Sequence, residues 1–395
     1  VLAGPFCCQI LADLGADVVK VERPGSGDDT RAWGPPFVEP DGPSAYYLSA
    51  NRGKRSLSLD LASPKAKDVL ERLLQKADVM VENFLPHTAA KLGLSPERLV
   101  EINPRLVSCA ISGFGRTGPL AETPGYDLAI QAGSGLMSIT GEPDGQPMKV
   151  GVAISDVIAG LYAAVSVLAG LGERERRERG ERDGESVDCA TMAFDLALAD
   201  CTLSALVNVA QGALVTGNRP RRYGNAHPHI VPYQAFATLD GHIALAIGND
   251  GQWRRFCQGV GRDALGDESR YATNPERVRH REELIPIVEG IMRGRTTAEW
   301  ENLLAANDVP HAAVATLDAV FGSPQTMARE MIETVTDSQG REYRLIGSPI
   351  HWRGEPKRSS TAPPSLGEHT DEVLRDWLGI GDAGIELPRK SGGAS

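Results

Sequence analysis

No two cysteines of this sequence stand in a CxxC pair, and with only six in 395 residues a zinc ribbon or a thioredoxin-like redox motif is excluded. Cys7, Cys8, Cys109, Cys189, Cys201 and Cys257 read instead as buried thiols in a reducing compartment. No apolar run approaches the roughly 18–20 residues needed to span a bilayer, so no membrane partner is expected. Positive charge is also short: the formal net charge is −11 and the pI is near 5.3, which argues against nucleic acid or an anionic lipid surface as the partner. A polyanionic ligand must then be held by a local basic patch. Val1 rather than methionine opens the chain, directly ahead of a Gly-Pro turn, so the true N-terminus is read as absent. The expected location is cytoplasmic, with an organelle matrix as the alternative.

What is present is periodicity. Ile10, Leu11, Leu14 and Val18 recur at helical spacing, Gly15 breaks the run, and Ala16–Glu22 reads as a short buried strand. Strands follow at Arg55–Asp60, Asp78–Glu82 and Leu106–Ile111, alternating with helices at Ser63–Lys76 and Pro96–Ile102. That alternation predicts an α/β fold with a mostly parallel sheet covered on both faces. An apolar helix is expected from Asp156 to Gly172, then a solvated charged turn over Glu173–Arg182, then a second apolar helix over Ala190–Val209. Beyond Gly217 the character changes. A hairpin turning at Asp240-Gly241 precedes helices at Trp253–Gln258, Arg279–Met292 and Thr297–Ala306, which defines a smaller α+β domain at 215–320. Residues 1–214 and 321–395 then form a large domain from both chain ends, the second part carrying a hairpin at Asp337–Gly340 and a helix at His369–Leu378.

Gly113–Gly118 matches GxGxxG after a strand, but Pro119 and Pro124 follow where a dinucleotide site needs a helix, so a plain turn is expected. His227 and His229 form an HxH with no third ligand nearby, so no metal is expected. Arg23, Arg31, Arg52, Lys54 and Arg55 lie at strand ends or turns, with Lys91 further on, where an open parallel sheet binds phosphates. Asp156 stands where a loop enters the apolar helix. It reads either as an N-cap or as a carboxylate kept ionised by the helix N-terminus and available as a nucleophile.

Taken together, LADLGADVVKVERPGSGD (Leu11–Asp28), NRGKRSLSLDL (Asn51–Leu61), ADVMVENFLP (Ala77–Pro86), KLGL (Lys91–Leu94), GYDLAIQA (Gly125–Ala132), VAISDVIAGLYAA (Val152–Ala164) and LGEHTDEVL (Leu366–Leu374) resemble the class III CoA-transferases, the formyl-CoA and carnitine CoA-transferase family. The resemblance implies a large Rossmann-like domain, a small domain, and a homodimer of two subunits threaded as interlocked rings. It implies a CoA-transferase with no resident cofactor, taking coenzyme A from an acyl-CoA to a free carboxylic acid. It puts the nucleophile at Asp156 and CoA contacts at Arg23, Leu59, Asn83, Phe84, Lys91 and Tyr126. Leu85, Pro124 and Ala62 depart from the pattern, the last two where the formyl-CoA branch carries lysine. The glycine-rich loop of that branch gives way to Tyr223–Gln234, similar to relatives acting on dicarboxylates such as succinate, glutarate, itaconate or malate. His227, Tyr233 and Gln234 are its candidate substrate contacts. An α-methylacyl-CoA racemase shares the fold, but its histidine position holds Tyr126, a poor base at neutral pH. A non-catalytic CoA-binding regulator is the third alternative.

CoA, not NAD, is therefore expected to stabilise the protein, because Arg23, Arg31, Lys54 and Lys91 offer cations while the GxGxxG context fails. CoA at about 100 times its dissociation constant adds roughly 2.7 kcal/mol. A thermal-shift titration checks this; a rise with NAD and none with CoA contradicts it.

Overall fold

The computed structural model describes residues 1–39, 42–180, 192–355 and 360–380. The chain divides into two compact units, Val1–Leu136 with Val150–Val215 and Gln325–Ser395, and Met137–Lys149 with Thr216–Pro324.

The first unit starts with α1 (Ala3–Asp13) and β1 (Val18–Glu22), separated by Gly15 at φ +108°. A short α2 (Ala45–Ser49) leads to β2 (Lys54–Ser58), which pairs parallel to β1 with Val18 opposite Lys54. After α3 (Pro64–Lys76) comes β3 (Val79–Glu82), then α4 (Pro86–Leu92), α5 (Pro96–Ile102) and β4 (Val107–Ser112). Prolines open α3, α4 and α5, where a missing N–H costs nothing. The expected parallel pairing is present, divided between two ladders, β1–β2 and β3–β4 with a third strand, β5 (Met192–Ala197).

Between β4 and β5 lie α6 (Asp127–Gly133), α7 (Leu136–Ile139) and the 25-residue α8 (Ile154–Glu178). The Gly113–Gly118 segment turns without a helix, as its prolines require. Two expectations fail in this stretch. The tract from Glu173 is not a turn as far as Glu178, because Glu173 pairs with Arg176 and Arg177 at helical spacing and extends α8; its end beyond Gly180 lies outside the described residues. The second apolar helix opens instead as β5, then breaks into α9 (Leu198–Ser204) and α10 (Val207–Thr216). A short apolar run suits strand or helix equally, and the open edge of β4 takes Met192–Ala197 as a strand. Cys189 and Ala190 lie outside the described residues.

The length of α8 also corrects the membrane expectation: it is long and apolar enough to cross a bilayer. Its inner face is nevertheless committed. Ala159, Ala163, Ala164 and Val167 join Cys7, Leu11, Cys109, Ile111 and Ile130 in one core cluster, while Leu161, Val165 and Leu168 remain exposed.

In the second unit, β6 (Tyr233–Ala237), β7 (His242–Ala246) and β8 (His311–Ala313) form an antiparallel sheet. α11 (Asp250–Gly259), α12 (Asp263–Asp267), α13 (Asn274–Arg279), α14 (Arg281–Met292) and α15 (Thr297–Ala306) accompany it. Trp253, Phe256, Leu284, Met292 and Trp300 are fully buried in its core, and the Trp300 indole donates to Met292 O at 2.7 Å. Residues 137–149, read from sequence as part of the large domain, belong here. The reason is the Arg222 guanidinium, which binds the carbonyls of Glu142, Pro143 and Gly145.

The chain then returns through α16 (Leu317–Phe321), α17 (Pro324–Ala328) and the β9 (Ile332–Thr336)–β10 (Glu342–Ile346) hairpin to α18 (Thr370–Leu378). The Leu366–Leu374 motif closes the outer edge of β2. His369 N donates to Ser56 O at 3.0 Å, Ser58 N to Thr370 Oγ1 at 3.0 Å, and Gly367 N to Ser56 Oγ at 2.9 Å. Gly367 has φ +70°, and a Cβ there would lie 2.9 Å from Ser58 Cβ. Gly367→Ala is expected to cost about 2 kcal/mol, from left-handed strain and the clash together, measured by urea unfolding.

Candidate active site

Asp156 is the third residue of α8, not its N-cap; that position falls to Ala153, whose side chain caps nothing. Its carboxylate Oδ1 accepts the Ala3 N–H at 3.2 Å from the first turn of α1. Gly160, one turn later, makes the approach possible: a Cβ there would lie 2.8 Å from Ala3 O and 3.4 Å from Cys7 N. Two helix N-termini thus converge on one half-buried carboxylate.

A second carboxylate stands beside it. Asp127 Oδ1 accepts the Ser155 N–H at 2.9 Å, and Oδ2 accepts from Gln131 Nε2 at 2.7 Å. Burial, with the Asp127 charge adding to it, raises the Asp156 carboxyl above its ordinary pKa, against the lowering effect of the Ala3 N–H. Of the two sequence readings, an N-cap or a carboxylate kept ionised, the first fails at Ala153; desolvation is the largest influence on the carboxyl. Tyr46 feels the same charges. Its phenol is pushed up by burial and then by Asp156, Asp127 and Asp28, and its ring packs edge-on against Trp33 at 5.2 Å. Neither Asp127, Gln131 nor Tyr46 had been picked out from sequence. Asp127 sits inside the GYDLAIQA string, but nothing in its spacing to Asp156 shows that the two meet.

The candidate CoA contacts follow strand ends. Arg23 follows β1 and is exposed, paired with Asp29 at 2.6 Å. Leu59 follows β2 and is buried, its N–H on Glu22 O at 2.8 Å, so these two positions share one edge. Asn83 and Phe84 follow β3: Asn83 is exposed, and the Phe84 N–H donates to Glu82 Oε2 at 2.6 Å. Lys91 is exposed near the end of α4, and Tyr126, 63% exposed, is the residue before α6, adjacent to Asp127.

The other cations do not form a phosphate patch. Arg31 grips the buried Glu22 carboxylate through Nε at 2.8 Å and Nη2 at 2.7 Å, with its guanidinium 3.8 Å over the Tyr47 ring. Arg52 pairs with Asp13, and Arg55 with Asp17 and Glu372. Lys54 is buried, donating to Pro5 O, Ala50 O and Asn51 Oδ1, and burial brings its ammonium down to about 7. The sequence shows their charge but not that carboxylates take up the three arginines and backbone and amide oxygens the lysine.

In the second unit, His227, Tyr233 and Gln234 come together. His227 N donates to Tyr233 O at 2.9 Å, their rings are 5.4 Å apart, and Gln234 is the next residue of β6. The His229 N–H donates to His227 Nδ1 at 3.0 Å, which leaves the neutral ring's proton on Nε2. Burial, His229 and Arg281 lower the His227 pKa. Arg281 and Asn274 hold the loop through the carbonyls of His227, Pro228 and His229. No group of three or more His, Cys, Asp or Glu suited to a metal occurs among the described residues.

Because the folded state raises the Asp156 pKa, it binds that proton more tightly than the unfolded chain does. Stability from this group is therefore present below the unfolded carboxyl pKa and is lost as pH rises through the folded value. Asp156→Asn keeps an acceptor for Ala3 N–H without the charge. It is expected to melt at or above the wild-type temperature at pH 7, and the difference should shrink toward pH 4. Calorimetry across that range is the check.

Residues 1–370 match the model of CoA-transferase family III. The chain is 44% identical over 385 residues to the succinate–glutarate CoA-transferase of Agrobacterium fabrum, covering 95% of this chain and 92% of that one. It is 37% identical to the human succinyl-CoA:glutarate CoA-transferase, over 98% of this chain and 85% of the other. Among solved structures, a CAIB/BAIF family protein from Brucella suis superposes with a TM-score of 0.80 at 39% identity, covering 95% and 96% of the two chains. With the family model, these relatives and the α/β fold in agreement, the chain belongs to CoA-transferase family III and is a CoA-transferase.

Proposed function

We propose that this enzyme moves CoA between dicarboxylic acids of the succinate and glutarate type, with Asp156 as the covalent carrier. The observation that carries the proposal is the half-buried Asp156 carboxylate, relieved of capping duty and held by the Ala3 N–H. Its raised pKa makes the ionised form a stronger nucleophile.

The Asp156 carboxylate adds to the donor thioester carbonyl, and collapse of the oxyanion expels CoA thiolate, leaving a mixed anhydride. The thiolate then attacks the Asp156 carbonyl and expels the donor acid as its carboxylate, giving an aspartyl-CoA thioester. The acceptor carboxylate attacks that thioester, forming a second anhydride and freeing thiolate. Attack of thiolate on the acceptor's acyl carbonyl restores Asp156. No water or net proton is consumed, so the site needs water exclusion more than an acid–base pair. Contacts to the nucleotide end at Arg23, Leu59, Asn83, Phe84, Lys91 and Tyr126 would keep CoA bound while its sulfur changes partner.

The neutral His227 ring, with Nε2–H as a donor, suits the acid's second carboxylate, and Tyr233 and Gln234 add polar groups beside it. The exposed apolar side chains Leu161, Val165, Leu203, Val207, Leu214 and Val215 on α8–α10 support a homodimer, in the interlocked form the family resemblance implies. All five described cysteines are free, which favours a reducing, cytoplasmic setting.

Asp156→Ala is expected to abolish transfer while CoA still binds, and hydroxylamine added during turnover should trap wild-type enzyme as the Asp156 hydroxamate, located by peptide mass. Full activity in folded Asp156→Ala refutes the mechanism. His227→Ala should raise KM for a dicarboxylate about tenfold and leave KM for the acyl-CoA little changed. Equal use of dicarboxylates and matched monocarboxylates by the wild type would show that no second charge is read.

A further inference from the structure

The loop ahead of Asp156 is tied at both ends by one buried amide and the carboxylate it holds. Gln131 is completely buried. Its Oε1 accepts the Val150 N–H at 2.8 Å, and its Nε2 donates to Asp127 Oδ2 at 2.7 Å and to Val152 O at 3.5 Å. Asp127 in turn takes the Ser155 N–H, one residue before Asp156. Thus the cap that α8 lacks in its own N-cap residue reaches it from α6. A buried primary amide is costly unless its polar atoms are paired, and an apolar side chain of equal volume fills space without that cost. Both ends of this amide act on Val150–Ser155 and on the carboxylate that grips it.

We infer that Gln131 is a positioning residue for the nucleophile: by fixing Asp127 and Val150 together it sets where the first turn of α8 presents Asp156. The inference rests on the reading of Asp156 as the covalent carrier. The ionisable groups acting with this pair are Asp156 on α8 and Tyr46 on α2, while α9, also packed on α6, carries Asp200 and Cys201.

Two substitutions separate positioning from packing. Gln131→Met keeps the volume and removes all three bonds. Displacement of a reacting group by an ångström costs about 100-fold, so kcat and the rate of hydroxamate formation at Asp156 should fall together by about that factor. KM for acyl-CoA and Kd for CoA should stay within about twofold. Gln131→Glu keeps the acceptor for Val150 N–H but places a carboxyl against Asp127. The two share a proton at low pH and repel when both ionise. The ratio of this variant's kcat to the wild-type value should therefore fall as pH rises, a profile that a packing role does not produce. If Gln131→Met does not fold, that profile decides alone. Wild-type kcat in Gln131→Met, or a pH-independent ratio in Gln131→Glu, overturns the inference. If wild-type enzyme forms its hydroxamate elsewhere than Asp156, the underlying reading falls and this inference with it. If it forms at Asp156 equally fast in Gln131→Met, only the positioning role falls.

Discussion

The close approach of α1 to α8 at Gly160 is the contact on which the surroundings of Asp156 depend. Helix backbones come this near only where a Cβ is missing, and here the missing atom would lie 2.8 Å from Ala3 O. The approach brings the first turn of α1 to Asp156 and buries Cys7 and Leu11 against Ala159 and Ala163 in the same core. Lys54 supports α1 from the other side, its ammonium on Pro5 O. Held at Gly160 and by Lys54, α1 gives the Asp156 carboxylate a fixed backbone donor.

Electrostatics divide the basic residues into two roles. In an acidic protein, an arginine near a carboxylate is consumed by it. Arg52 and Asp13 are both nearly buried, and removing either partner of such a pair costs about 3–5 kcal/mol. Arg31 joins Glu22 to Pro364 O and so ties the turn after β1 to the returning C-terminal segment. These cations are committed within the protein, whereas Arg23, paired with Asp29, and Lys91 are exposed.

Much of the fold was legible because local signals agreed with it. Gly15 separates α1 from β1, prolines open α3, α4 and α5, and the alternation of strand and helix requires parallel pairing. The misreadings have physical causes. Met192–Ala197 is apolar enough for helix or strand, and the free edge of β4 made the choice. Glu173–Glu178 reads as a solvated turn until its charges meet one helical turn apart. Residues 137–149 carry no periodic signal, and Arg222 assigns them to the second unit.

By itself the sequence determined the strand–helix alternation of the first 112 residues, the turn chemistry and, through its ordered motif strings, the family and the aspartate at the head of an apolar helix. Those properties are written in neighbouring residues, where spacing and composition act directly. Only the tertiary structure decided what that aspartate is bonded to. Ala3, Asp127 and Gln131 reach the start of α8 from far away in the chain, and no local pattern encodes a distant donor. It also decided that burial raises the Asp156 carboxyl, because desolvation is a property of everything packed around a group rather than of its neighbours in sequence.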